Sequence, residues 1–194
     1  IAILSEVVRQ KVGDNGANEP LNLIADTSRE MVDSMSDIVW AINPQKDHLS
    51  DLVQRMRRFA SDSLEAQDIA YHFHLAEKSV DVTLGADIRR EVYLIFKECL
   101  NNLTKYSGAT EVDLSVEIEN NALVVAVKDN GRGFDVNEKL NGKYDGFGGN
   151  GLINMRRRTE NLGGKFEINS EKGVGTSVEI RIPVAGRFSQ NRLR

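Results

Sequence analysis

Leu123-Val124-Val125-Ala126-Val127-Lys128-Asp129-Asn130-Gly131-Arg132-Gly133-Phe134 is the stretch on which the fold turns. Leu123, Val125 and Val127 fall on alternate positions, the pattern of a strand with one buried face. The strand ends at an acid, Asp129. A carboxylate there can accept a hydrogen bond from an exocyclic amine, and Gly131 and Gly133 let the backbone pass close to a flat ligand. The same D-x-G-x-G spacing also ends ordinary hairpins and binds calcium, so this stretch alone leaves the choice open.

Working outward, Val112, Leu114, Val116 and Ile118 alternate just upstream, and Asn120-Asn121 joins the two strands as a hairpin turn. Downstream, Phe166 and Ile168 and then Val178, Ile180 and Ile182 form a second pair, joined through Lys172-Gly173-Val174-Gly175 and closed by Pro183. A short alternation over 70–75 adds a strand. Helical spacing marks 48–67, with Leu49, Leu52, Val53, Met56, Phe59, Ala60 and Leu64 inward. It also marks 86–106, with Ile88, Val92, Ile95, Phe96, Cys99 and Leu103 inward. A third helix covers 151–161, ended by Gly163-Gly164. The expected class is α+β, with helices packed on one face of a sheet.

Ahead of this domain, Ile1, Leu4 and Val8 have helical spacing, Gly13-Asp14-Asn15-Gly16 and Pro20 form a turn, and Leu21, Ile24, Ser28, Met31, Met35, Ile38 and Ile42 make a heptad stripe. Asn43-Pro44 stops the second helix. A helical hairpin cannot bury two apolar faces alone, so it is expected to pair with a second copy in a homodimeric four-helix bundle. The alternative is packing on the chain's own second domain. The expected division is residues 1–45, 46–185 and a polar tail, 186–194.

The chain has 194 residues and a formal net charge of −4. A duplex-binding protein would carry a basic excess, so no direct nucleic-acid contact is expected, and the basic clusters Arg55-Met56-Arg57-Arg58 and Arg156-Arg157-Arg158 read as solvated helix faces or phosphate neighbours. The lone cysteine, Cys99, suits a reducing cytoplasm. No apolar run is long enough to span a bilayer and no signal-peptide pattern is present. The chain opens on Ile1, inside an apolar-periodic segment, and reads as a piece of a longer protein that has room for a membrane anchor elsewhere.

Three further groups carry chemistry. Glu98, Asn102 and Lys105, four and three apart, share one side of a helix. An amide oxygen suits Mg²⁺ and a lysine one turn on can meet phosphate, although a solvated face has the same spacing. Gly146-Phe147-Gly148-Gly149-Asn150-Gly151-Leu152 runs into a helix start, where freed backbone N–H groups can cradle phosphate; a loop with a helix cap looks similar. Residues 135–150, polar and aperiodic, have the character of a lid. Gly173-x-Gly175-Thr176 opens the last strand and is otherwise a hairpin turn.

Together the four groups resemble the GHKL ATPases, the superfamily of gyrase, a heat-shock chaperone, a mismatch-repair ATPase and the histidine kinases. Asn154-Met155-Arg156-Arg157-Arg158, Leu162-Gly163-Gly164 and Ser107 resemble two-component sensor kinases. Ser36-Asp37-Ile38-Val39-Trp40-Ala41-Ile42-Asn43-Pro44 resembles the end of the second dimerisation helix in the sensors that pair with LuxR-type response regulators. The resemblance covers nearly the whole chain up to about residue 184. It implies a two-layer α/β sandwich with a mixed sheet, ATP and Mg²⁺ as ligands, a homodimer, and a response-regulator receiver domain as partner, in the cytoplasm. It further implies that Asn102 coordinates Mg²⁺ and that Lys105 and the residue after it, Tyr106, lie at the phosphates. Asp129 meets the adenine amine with Thr176 nearby. Gly131, Gly133 and Phe134 shape the adenine pocket, Gly149, Gly151 and Leu152 hold the phosphates, and Glu98 orients the attacking group.

Two departures stand out. The family usually has histidine where this chain has Tyr106, and a phenol cannot carry positive charge. None of His48, His72 and His74 matches the family's phosphoacceptor, which sits on the first dimerisation helix before an acid. The expectation is that the acceptor lies upstream of Ile1, so that this chain binds ATP without labelling itself. Two rivals remain: an anti-sigma-factor-type serine kinase, disfavoured by the helical hairpin, and a non-catalytic dimerisation scaffold, favoured only by Tyr106.

Overall fold

The computed structural model describes residues 24–25, 27–29, 31–32, 35–37, 39–40, 43, 46–76, 82–136 and 151–184. The chain divides into two compact units, Ile1–Asn43 and Pro44–Arg194. In the first unit the described residues from 24 to 40 are helical. Ile24, Met31, Val32, Met35 and Val39 are exposed there. The other helix of the expected hairpin, its turn, and Leu21, Ile38 and Ile42 of the stripe lie outside the described residues.

The second unit runs α1 (Leu49–Glu65), β1 (Ala70–Leu75), α2 (Ala86–Tyr106), β2 (Glu111–Glu119), β3 (Ala122–Asp129), α3 (Gly151–Asn161), β4 (Lys165–Glu171) and β5 (Gly175–Pro183). The sheet order is β1-β2-β3-β5-β4. β1 runs parallel to β2, and every other pair is antiparallel, so the sheet is mixed. Asn120 and Asn121 both have left-handed φ, as a two-residue hairpin turn between right-twisted strands requires.

Register follows from the alternation. Leu114, Val127 and Val178 line one row across β2, β3 and β5, and Val116, Val125 and Ile180 line the next. That face is covered by helices. Phe96 of α2 is almost fully buried, against Phe73 of β1 at 6.5 Å between ring centroids. Truncating such a side chain to alanine costs about 3–5 kcal/mol. The other face carries Asp113, Glu117, Lys128, Glu179 and Arg181 and is largely polar. Val124, buried between Glu117 and Arg181 on the neighbouring strands, and Ala122 are apolar residues buried on it.

One link was not foreseen in the sequence. Val82 and Thr83 run beside the start of α1: the Leu49 N–H donates to Val82 O (2.8 Å) and the Leu84 N–H to Asp47 O (2.7 Å). This ties the start of α1 to the entry of α2, and it places His48 in a β-bridge with Thr83.

Candidate functional site

Asp129 ends β3, opposite Thr176 of β5, which in turn faces Ser170 of β4. The three polar side chains sit side by side at one end of the helix-covered face. Asp129 is 8% exposed. Its Oδ1 accepts the Gly131 N–H at 2.8 Å, and the Thr176 N–H also bonds to the carboxylate. Burial raises its pKa above the ordinary value; the two N–H groups oppose that rise and only partly offset it. An ionised carboxylate offers about four lone-pair sites, so acceptor capacity remains for an incoming N–H.

Ser170 is a site residue that the sequence reading missed. Its hydroxyl donates to Gly175 O (3.1 Å), accepts the Phe134 N–H (2.9 Å), and lies 2.9 Å from Thr176 Oγ1. With its one proton committed to Gly175, Ser170 accepts from the Thr176 hydroxyl. The Thr176 oxygen keeps its lone pairs for a ligand or a water. The signal was present: a serine following Phe166 and Ile168 on the inward positions of β4 breaks an apolar face.

The loop after Asp129 is held between α2 and the β4–β5 turn. Asn130 Oδ1 accepts from the N–H groups of Thr110 (3.0 Å) and Glu111 (3.1 Å). The Arg132 N–H donates to Ser107 O (2.9 Å), and the Gly173 N–H to Arg132 O (2.7 Å). A side chain at Gly131 would meet Ser107 O at 2.6 Å, and Gly133 has φ +57° with the Glu171 carbonyl where a Cβ would go. Both positions of the motif therefore demand glycine.

α2 carries the second group. Asn102 Nδ2 donates to Glu98 Oε1 at 3.2 Å, which leaves the amide oxygen as the group a cation can use. Gly151, the first residue of α3, lies directly on this pair: a Cβ there would strike Glu98 Oε1 and sit 3.4 Å from Asn102 Nδ2. The N–H groups that open α3, which have no partner within the helix itself, thus lie beside Glu98 and Asn102. Leu152 in the same turn is half-buried, while Lys105 and Tyr106 are exposed at the end of α2. Gly149 and residues 137–150 of the expected lid lie outside the described residues.

α2 therefore joins both groups: its Ser107 end abuts the Asp129 loop, and its Glu98–Asn102 turn abuts α3. Two contacts fix α3 on it. Cys99 Sγ lies 3.4 Å from Met155 Sδ, and burial, followed by the Glu98 charge, pushes the thiol pKa up to about 12, so the cysteine is inert packing. Glu91 accepts from Arg158 and Arg90. Burial works to raise the Glu91 pKa, but the two guanidinium partners win and hold it below the usual range.

The basic clusters resolve into separate packing roles. Arg156 lies over the Phe166 ring and Arg157 reaches Asn154. Arg55 lies over Tyr93, Arg57 over Phe73, and Arg58 pairs with Asp62. The histidines stand apart from the two groups. His48 is in the bridge beside Asp47, and His72 pairs with Glu111 on the sheet edge.

Residues 87–186 match the family model described as histidine kinase-, DNA gyrase B-, and HSP90-like ATPase. The chain is 28% identical over 135 residues to the signal transduction histidine-protein kinase/phosphatase DegS of Bacillus subtilis, covering 69% of this chain and 34% of that protein. It is 26% identical to DegS of Brevibacillus brevis, covering 95% of this chain and 46% of that protein. It thus spans less than half the length of these relatives. Among solved structures, the histidine kinase domain of the Erythrobacter litoralis EL346 blue-light activated histidine kinase aligns with a TM-score of 0.60 at 19% identity, covering 92% of this chain and 91% of that one. Acinetobacter baumannii histidine kinase AdeS aligns at 0.62 and 17%, covering 89% and 86%. At those identities the structural likeness concerns the fold.

Proposed function

The chain belongs to the histidine kinase-, DNA gyrase B- and HSP90-like ATPase family, and we propose that within it this is the ATP-binding catalytic portion of a two-component sensor histidine kinase. It delivers the γ-phosphoryl group of ATP to a histidine supplied from outside these 194 residues, for relay to an aspartate of a response regulator of the LuxR type. The observation that carries the reading is the pair of polar groups at the two contact points of α2: Asp129–Thr176–Ser170 on the sheet, and Glu98–Asn102 against the start of α3.

Asp129 accepts from the exocyclic amine of adenine, and Thr176 offers its oxygen beside it. Gly131, Gly133 and Phe134 wall the base, and Gly149, Gly151 and Leu152 bracket the phosphates. Asn102 holds Mg²⁺ through its amide oxygen, a hard ligand that fits that ion; the ion supplies charge neutralisation. Lys105 adds positive charge at the phosphates, and Tyr106 can only donate a neutral hydrogen bond there. Glu98 orients the attacking imidazole and takes up its proton. Residues 1–45 pair with a second copy, a reading supported by the exposed Met31, Val32, Met35 and Val39. No helix among the described residues is long and apolar enough to cross a membrane; a cytoplasmic position is part of this proposal, because ATP and receiver domains are found there.

Incubation with γ-labelled ATP tests the acceptor. The chain alone should take up no acid-labile, base-stable label, and addition of a dimerisation domain bearing an acceptor histidine should produce that label on the added domain. Such a label on this chain itself, or none on the added domain, would contradict the reading.

A further inference from the structure

The chain has three histidines, and two of them, His72 and His74, stand on β1, outside the proposed reaction. β1 is an edge strand, bonded only to β2. Its exposed positions are Ala70, His72 and His74. Residues two apart on a strand project from the same face about 6.6 Å apart. The two imidazole centroids are 6.4 Å apart with the rings tilted by 36°. His72 Nε2 lies 3.2 Å from Glu111 Oε1 of β2. Two ligand atoms bound to one zinc-sized ion, each at about 2.1 Å, stand about 3.0–3.4 Å apart. The His72–Glu111 contact is a hydrogen bond, and its length falls within the range of two ligands on a common ion, so an ion can replace it without moving either strand. Asp113 is the cross-strand partner of His72 and adds negative charge at the same edge.

We propose that His72 and His74, together with Glu111, form a surface site for a divalent transition-metal ion of the zinc, copper or nickel class. Imidazole nitrogen with carboxylate oxygen suits those ions, whereas Mg²⁺ prefers oxygen alone, so this site and the nucleotide's cation do not compete. Among the described residues no group of three or more His, Cys, Asp or Glu side chains is already placed to hold a metal ion, so the site forms only as the side chains turn toward one. The ion recruits His74 by side-chain rotation, which its exposure permits, and water completes the coordination. His72 and Glu111 are themselves 58% and 54% exposed, so entry is open. A bound ion joins β1 to β2 by a second link beyond their backbone ladder. It thereby steadies the strand whose Phe73 packs on Phe96 of α2.

The test titrates Zn²⁺, Cu²⁺ and Ni²⁺ separately into the nucleotide-free chain, with Mg²⁺ in excess, by calorimetry. At least one should bind with one-to-one stoichiometry and raise the thermal midpoint. His72→Ala and His74→Ala should each weaken binding by about tenfold or more, while His48→Ala leaves it unchanged. Equal metal-free midpoints for wild type and variants show that the core is intact. Failure of all three ions to bind would make His72–Glu111 an ordinary surface ion pair and overturn the proposal. So would binding that survives both β1 variants, or that His48→Ala removes equally.

Discussion

At Asp129 stability and ligand binding pull in opposite directions. Its folded-state pKa is raised, chiefly by burial. A carboxyl with a raised folded pKa weakens the fold when it is charged, so the penalty is complete above the raised value and vanishes as pH falls below the ordinary carboxylate range. Asp129→Asn keeps an oxygen for the Gly131 N–H and removes the charge. It should raise the nucleotide-free thermal midpoint at pH 7, with the gain disappearing at low pH in a melting series. A lower midpoint at pH 7 would mean that the charge is stabilising. The residue was legible because Gly131 and Gly133 frame it at a spacing that backbone crowding enforces. Ser170 was not, because a serine in an apolar alternation marks an irregularity without naming a role, and its meaning appears only when β4, β5 and the Phe134 loop meet.

At the scale of elements, α2 is the part on which the site depends. Its attachment to α3 rests on Cys99–Met155 packing and on Glu91 between Arg158 and Arg90. The Glu91 pKa is lowered in the folded state, so its pairing stabilises the fold above the ordinary carboxylate value and the effect is lost as pH falls through the lowered one. Glu91→Gln should cost about 1–3 kcal/mol at pH 7 and little under acid conditions, measured by urea unfolding at both pH values. An equal cost at both would assign the effect to shape rather than charge. The helices and all five strands could be read from periodicity. That β1 lies parallel to β2 could not: His72 and His74 alternate as strand residues do, but alternation names no neighbour, and only the family resemblance implied a mixed sheet. The Val82–Leu84 link was equally silent, being too short to show a period.

For the whole molecule, the exposed apolar side chains of the first unit set the expectation of pairing. Met31 and Met35 were read in the heptad stripe, and Val32 and Val39 widen the exposed surface beyond it. Met35→Asp should shift the chain from dimer to monomer in light scattering while its ATP affinity stays unchanged, since Asp129 and Asn102 lie in the other unit. An unchanged dimer would move the interface elsewhere. The measurement that bears most directly on the central claim is a calorimetric titration of ATP, with and without Mg²⁺, into the wild-type chain and Asp129→Asn. Magnesium-dependent one-to-one binding, weakened about tenfold or more by the substitution, a loss of about 1.4 kcal/mol or more, is the predicted result. No magnesium-dependent binding, or equal binding by both proteins, would contradict the account.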